Sequence, residues 1–201
     1  MIDQYTADHT GWARFSDDMT MRYRLGRSLT GEPIETIPRS MTAVFALLNP
    51  STADAFVPDP TATRAVSFAR MFGAGAVEIV NINAWRATDP AEIYKLAFGF
   101  RGDDATNDYQ LVEACTGAMI VIAGWGTHGA LDHRGVAVRR LLAGGGVKLY
   151  HLGLTKHGHP RHPLYLRGDT APQEWRSEIA KALFQKLRRL NTENGGRDGD
   201  E

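Results

Sequence analysis

Four short stretches of this 201-residue chain carry side chains that can do chemistry. The first is Asn49-Pro50-Ser51, the second holds Asn81, Asn83 and Arg86, and the third pairs Trp125 with His128. The fourth runs from Lys156 through His157, His159, Arg161 and His162 to Leu164 and Tyr165. A carboxamide offers a donor and an acceptor side by side and so can read the edge of a heterocycle, while an aromatic ring can stack on its face. A histidine such as His162 can donate to an oxygen that gains negative charge as a bond breaks. Asn49, through its amide or its backbone carbonyl, can hold a water but is a poor base, which suits a reaction whose leaving group departs largely by itself. Asn49 also has the plainer reading of a turn former. The His157-x-His159-x-x-His162 spacing is compatible with a metal, but Gly158 and Pro160 make the stretch a loop and no carboxylate lies nearby in sequence, so no metal is assigned.

The elements that must position these groups alternate along the chain. Residues 43–48, AVFALL, form an unbroken apolar run, the pattern of a strand buried on both faces, and it stops at Asn49-Pro50. Further strands are predicted over 76–82, 118–124 and 147–152, each running into one of the polar stretches. Between them the spacing of Ala65, Phe68, Ala69 and Phe72 predicts a helix capped by Thr61 or Thr63 and closed by Gly73. Asp89-Pro90-Ala91-Glu92 has the form of a helix start, and helices are also predicted over 103–117, 135–142 and 175–190. Residues 19–25, MTMRYRL, alternate apolar and polar as a half-buried edge strand does, preceded by a loose arm anchored by Trp12 and Phe15. The sum is one three-layer α/β/α domain over 1–190, with a central, mostly parallel four-stranded sheet plus an N-terminal edge strand; residues 191–201 read as a disordered tail. The polar exits then converge at the carboxyl edge of the sheet.

Composition narrows the classes. Lysine plus arginine and aspartate plus glutamate number 23 each, so the formal net charge is zero and a whole-molecule argument for nucleic acid fails. The charge is uneven, however. Residues 134–167 hold seven Lys or Arg and four His with no Asp or Glu, which makes an anion-facing side or a solvated face balanced by neighbouring acids. Cys115 is the sole cysteine and lies in an apolar run, excluding an internal disulfide and a cysteine-ligated cluster and pointing to an inert thiol. No phosphate loop or G-x-S-x-G elbow occurs, and no cofactor is implied. Without a long apolar run or a signal-peptide pattern, the expectation is a soluble cytoplasmic protein, monomeric and off the membrane.

Two resemblances follow from the motifs. LLNPSTAD, DPTATR, NINAWRATDP, WGTHG and GLTKHGHPRHPLYL, in this order over about residues 20–176, resemble an uncharacterised bacterial and phage domain family. The chain is also similar, more loosely, to the uracil-DNA glycosylase superfamily, whose first motif follows the first core strand as Gly-x-Asn-Pro-Gly or a near variant and whose last is His-Pro-Ser. That resemblance implies a glycosylase-like sheet and a DNA partner. It gives Asn49 the water-positioning place, His162 the stabilisation of the departing base, and Asn81 or Asn83 the pyrimidine edge. Leu164 and Tyr165 fall where that superfamily wedges into the duplex, and Lys156 and Arg161 would meet phosphates. Leu164 stands where Ser is usual, Leu48 where Gly is, and the LTKHGHPR insertion is longer and more basic than the pattern. These departures point away from uracil and toward a modified base, for instance one in phage DNA. The functional expectation is hydrolysis of an N-glycosidic bond in DNA. The alternatives are an enzyme on free nucleosides or nucleotides and a catalytically silent nucleic-acid or nucleotide binder.

Overall fold

The computed structural model describes residues 2–5, 10–51, 59–102 and 104–176. Its strands are β1 (Ile2–Tyr5), β2 (Gly11–Phe15), β3 (Arg22–Ser28), β4 (Thr42–Leu47), β5 (Ala76–Asn81), β6 (Ile120–Ala123), β7 (Leu149–His151) and β8 (Gln173–Glu174). They form one mixed sheet in the order β1-β2-β3-β5-β4-β6-β7-β8. The four central strands, β5, β4, β6 and β7, are parallel; β1, β2 and β3 extend one side antiparallel, and β8 adds an antiparallel edge to the other. Every residue of β4 and of β5 is buried, because helices cover both faces.

Three α-helices connect the parallel strands: α1 (Pro60–Met71), α2 (Ala105–Cys115) and α3 (Arg134–Gly144). Ala62, Ala65, Phe68 and Ala69 of α1 pack on Phe45, Leu47, Val77 and Ile79. On the opposite face, Leu111 and Ala114 of α2 and Val138 and Leu142 of α3 pack on Val44, Ala46, Val80 and Val121. The chain leaves β4 toward β5 over one face, then crosses back over the other to β6 and β7. The strand order therefore reverses between β4 and β6, and a crevice opens at their carboxyl ends, where such sheets take ligands. Among the described residues no helix is long and apolar enough to cross a membrane.

Several expectations change. The strand over 19–25 is not an edge: β3 begins at Arg22, lies between β2 and β5, and buries Arg22 and Arg24. Arg24 can be buried because Glu78 of β5 and Glu113 of α2 both pair with it, so its polarity does not mark a solvent face. The supposed loose arm contains β2, with Phe15 in the core. Helix α1 is capped by Asp59, whose carboxylate accepts from the Ala62 N–H at 2.7 Å, and not by Thr61 or Thr63. The start at Asp89 opens only a 3₁₀ helix, Pro90–Lys95. Of the helix expected over 175–190, residues 177–190 lie outside the described residues, as does the tail 191–201; Trp175 continues from β8, its N–H bonded to the Leu149 carbonyl.

Candidate functional site

The crevice is a cleft of about 510 Å³ at the carboxyl ends of β4 and β6. Leu48, Asn49 and Ser51 bring in the exit of β4, and Trp125 to His128 that of β6. Asp59 to Thr61 come from the start of α1, and Arg161, His162, Leu164 and Tyr165 from the segment after β7. Its size suits a single small ligand.

Glycines set the approach of these segments. A Cβ at Gly124 would stand 2.8 Å from Pro163 Cδ and 3.0 Å from Leu47, so glycine at the end of β6 lets the His162-Pro163 corner settle on the sheet. Gly126, at φ +68°, donates its N–H to the Pro160 carbonyl at 2.8 Å and ties the two loops together. Trp125 is only 2 % exposed; its indole lies against Gly129 and Gly135 and packs at 5.6 Å on Trp175. The glycine after His128 is thus a packing requirement of the tryptophan.

His162 is half-buried and caps a 3₁₀ turn, Pro163–Tyr165, with Nδ1 accepting from the Leu164 N–H at 3.3 Å. That bond leaves the proton of the neutral ring on Nε2, which is then a donor. Burial holds the imidazole below its ordinary value of 6.5, and the Asp59 carboxylate opposes the shift. The ring is neutral at physiological pH. Asn49 is anchored through Nδ2, which donates to the Ala87 carbonyl at 2.8 Å and the Pro50 carbonyl at 3.2 Å; among the described residues its Oδ1 accepts no hydrogen bond. At the far rim, Tyr94 Oη and His128 Nδ1 lie 2.9 Å apart.

The remaining residues singled out by sequence are elsewhere. Asn81 and Asn83 are buried and do not line the cleft: Asn81 accepts from Arg22 through Oδ1 and from Asn107 through its carbonyl, while the Asn83 N–H holds the Leu48 carbonyl. Arg86 lies over the Phe15 ring and donates to the Met19 carbonyl. Pro50 is buried and its carbonyl accepts from the Ala87 N–H. Lys156 and His157 sit exposed at the tip of a small hairpin closed by the Leu154–Pro160 bridge, with His159 on its returning arm. Of the three histidines, His162 alone lines the cleft. Among the described residues no group of three His, Cys, Asp or Glu side chains is placed to hold a metal. Cys115 is buried and its thiol pushed up to about 12 by desolvation, so it is not a nucleophile.

The carboxylate that sequence reasoning missed is Asp59. It lies in the cleft close enough to His162 to act on its charge. The signal was in the DPTATR string, whose first residue is Asp59 and whose last, Arg64, donates through its guanidinium to the Leu166 carbonyl and so ties α1 to the His162 turn.

No curated protein and no solved structure matches this chain. A family model described as a protein of unknown function, DUF1643, matches residues 22–164, and the chain belongs to that family.

Proposed function

For this DUF1643 domain we propose hydrolysis of the N-glycosidic bond of a base in DNA, on a glycosylase-like α/β/α sheet. The observation that carries the reading is His162: a half-buried neutral ring, its Nδ1 fixed by a backbone N–H, across a cleft that also holds Asn49 and Asp59. In the proposed step the C1′–N bond breaks and its electron pair leaves with the base. Nε2–H of His162 donates to the base oxygen where that charge collects. A water held by Asn49 Oδ1 and Asp59 bonds to C1′ and gives its proton to the Asp59 carboxylate, from which it passes through solvent to the departed base. The products are the free base and an abasic sugar.

Tyr165 offers the base aromatic surface and Ser51 a hydroxyl for its edge, while the buried Trp125 backs the cleft. Arg161 and Leu164 stand at the cleft, with Lys156 on the adjoining hairpin, where flanking phosphates of a flipped nucleotide would lie. Asn83 serves instead to hold the Leu48 carbonyl after β4, and Asn81 to hold Arg22 of β3 and Asn107 of α2. The zero net charge favours a second reading, an enzyme on free nucleosides or nucleotides, which need no long basic track.

The test is base release from single- and double-stranded oligonucleotides carrying uracil, hypoxanthine, and hydroxymethylated or glucosylated pyrimidines, beside the matching free nucleosides. Abasic sites in the oligonucleotides support the DNA reading, and release from nucleosides alone supports the second. Asn49→Ala is expected to lower turnover more than substrate binding; equal loss of both would argue for a silent binder.

A further inference from the structure

Both rims of the cleft expose aromatic rings, but their charges differ. The parallel strands run in the order β5-β4-β6-β7, so the segments that follow β5 and β7 flank the cleft from opposite sides. On the β7 side stand Lys156 and Arg161, both exposed, and among the described residues neither side chain is held in an ion pair. Tyr165 belongs to the same side; it is 76 % exposed, with its ring centroid 5.8 Å from that of His162. On the β5 side Thr88 and Pro90 line the cleft with the exposed Asp89 between them. Glu92 follows, also exposed, and then Tyr94, 50 % exposed and hydrogen-bonded to His128. The single cation of that turn, Lys95, is outnumbered by the two acids. Arg101 and Arg134, on the segments that follow, are paired with Asp132 and Asp108. Residues 52–58, between Ser51 and Asp59, contain no Lys or Arg.

This layout discriminates between the forms of DNA. A duplex presents two phosphate backbones, together one charge per about 1.7 Å of axis. Seated over the cleft with one backbone on Lys156 and Arg161, it brings the other toward Asp89 and Glu92, where like charges repel. A single strand has one backbone to place, and its bases are free to stack. With its phosphates on the β7 rim, the bases on either side of the one in the cleft reach the exposed rings of Tyr165 and Tyr94.

We propose that the cleft takes single-stranded DNA, one backbone along Lys156 and Arg161 and the neighbouring bases stacked on Tyr165 and Tyr94. This rests on the reading of the cleft as a site for a base in DNA and narrows its substrate to the unpaired strand, from which a base enters without the cost of breaking a pair.

The experiment is fluorescence anisotropy of the full chain with a labelled, unmodified oligonucleotide, alone and annealed to its complement, beside base release from the modified oligonucleotides in both forms. The single strand is expected to bind about tenfold more tightly than the duplex or better, through stacking that the duplex cannot offer. Its affinity should fall with the logarithm of salt concentration at a slope of about −1.4, that of two phosphates on a single strand. Tyr165→Ala is expected to weaken single-strand binding about fivefold or more, and Tyr165→Phe, which keeps the ring, to restore it. Glu92→Lys replaces an acid by a cation on the β5 rim and is expected to narrow the gap by strengthening duplex binding. Base release is expected to be faster from the single strand. The proposal is overturned by duplex binding as tight as single-strand binding, by no single-strand binding, by full affinity in Tyr165→Ala, by an unchanged gap in Glu92→Lys, or by faster release from the duplex. Preferential single-strand binding with no base release from any substrate would end the hydrolase reading and leave the strand preference standing.

Discussion

The two ends of the parallel sheet handle charge in opposite ways. At the amino end, Glu78 is enclosed by Arg24 and Arg39, and Glu113 supports Arg24 from α2. At the carboxyl end, Asp59 and His162 face a cleft, Asn49 Oδ1 has no acceptor duty among the described residues, and His162 Nε2 is left as a donor. The first arrangement is one whose breakage should unfold the chain. The second should lose chemistry when altered and keep the fold. A polar residue near a sheet end is therefore informative only once its partners are counted.

Glu78→Ala should show the largest effect. It takes from the buried Arg24 one of its two carboxylate partners and from the half-exposed Arg39 its pair, and is expected to destabilise the protein by about 3 kcal/mol, read from denaturant unfolding. A loss below about 1 kcal/mol, the scale of an exposed pair, would erase the contrast between the two ends. Gly129→Ala comes next, because its Cβ would overlap the Trp125 indole, and about 1–3 kcal/mol of overpacking strain is expected in the same assay.

Asp59 sharpens the comparison, since it serves structure and site at once. Asp59→Ala should cost about 1 kcal/mol through the lost cap of α1, while Asp59→Asn preserves the cap within a few tenths of that and removes the charge. Base release should fall in both variants. If Asp59→Asn keeps full activity, the carboxylate is a cap and nothing more.

The smallest effect concerns pH. His162 is held below 6.5 in the folded chain, so the unfolded chain takes up the proton first and stability rises with pH across that interval. The contribution of the neutral ring is complete above pH 6.5 and is lost as pH falls from there through the folded-state value. Urea unfolding followed downward from neutral pH should show a steeper loss for the wild type than for His162→Gln. Parallel profiles would mean that the ring is not desolvated.

The parallel strands and their three helices were legible because a strand buried on both faces leaves a continuous apolar run, as residues 43–48 do. The N-terminal extension was not. Arg22 and Arg24 look like a solvent face in a list of residues, and partners distant in sequence, Asn81 for Arg22 and Glu78 and Glu113 for Arg24, accompany them in the interior. Strand β8 is two residues long and carries no period at all. Of the site, Asn49, Ser51, Trp125, His128, Arg161, His162, Leu164 and Tyr165 do come together in the cleft. Asn81 and Asn83 belong to the same sheet edge, but their amides and backbone are spent on holding neighbouring segments. Asp59 was overlooked because an aspartate before a proline reads as a turn, and its approach to His162 depends on how α1 packs against the 163–165 turn.

The most direct measurement is abasic-site formation by the wild type and His162→Ala side by side on the modified oligonucleotides, with unfolding of both proteins as the control. The expected result is base release by the wild type, a drop of about 10²–10³ in the variant, and unfolding midpoints that stay close. Equal release by the two proteins, or none by either, would contradict the assignment of this cleft to N-glycosidic hydrolysis.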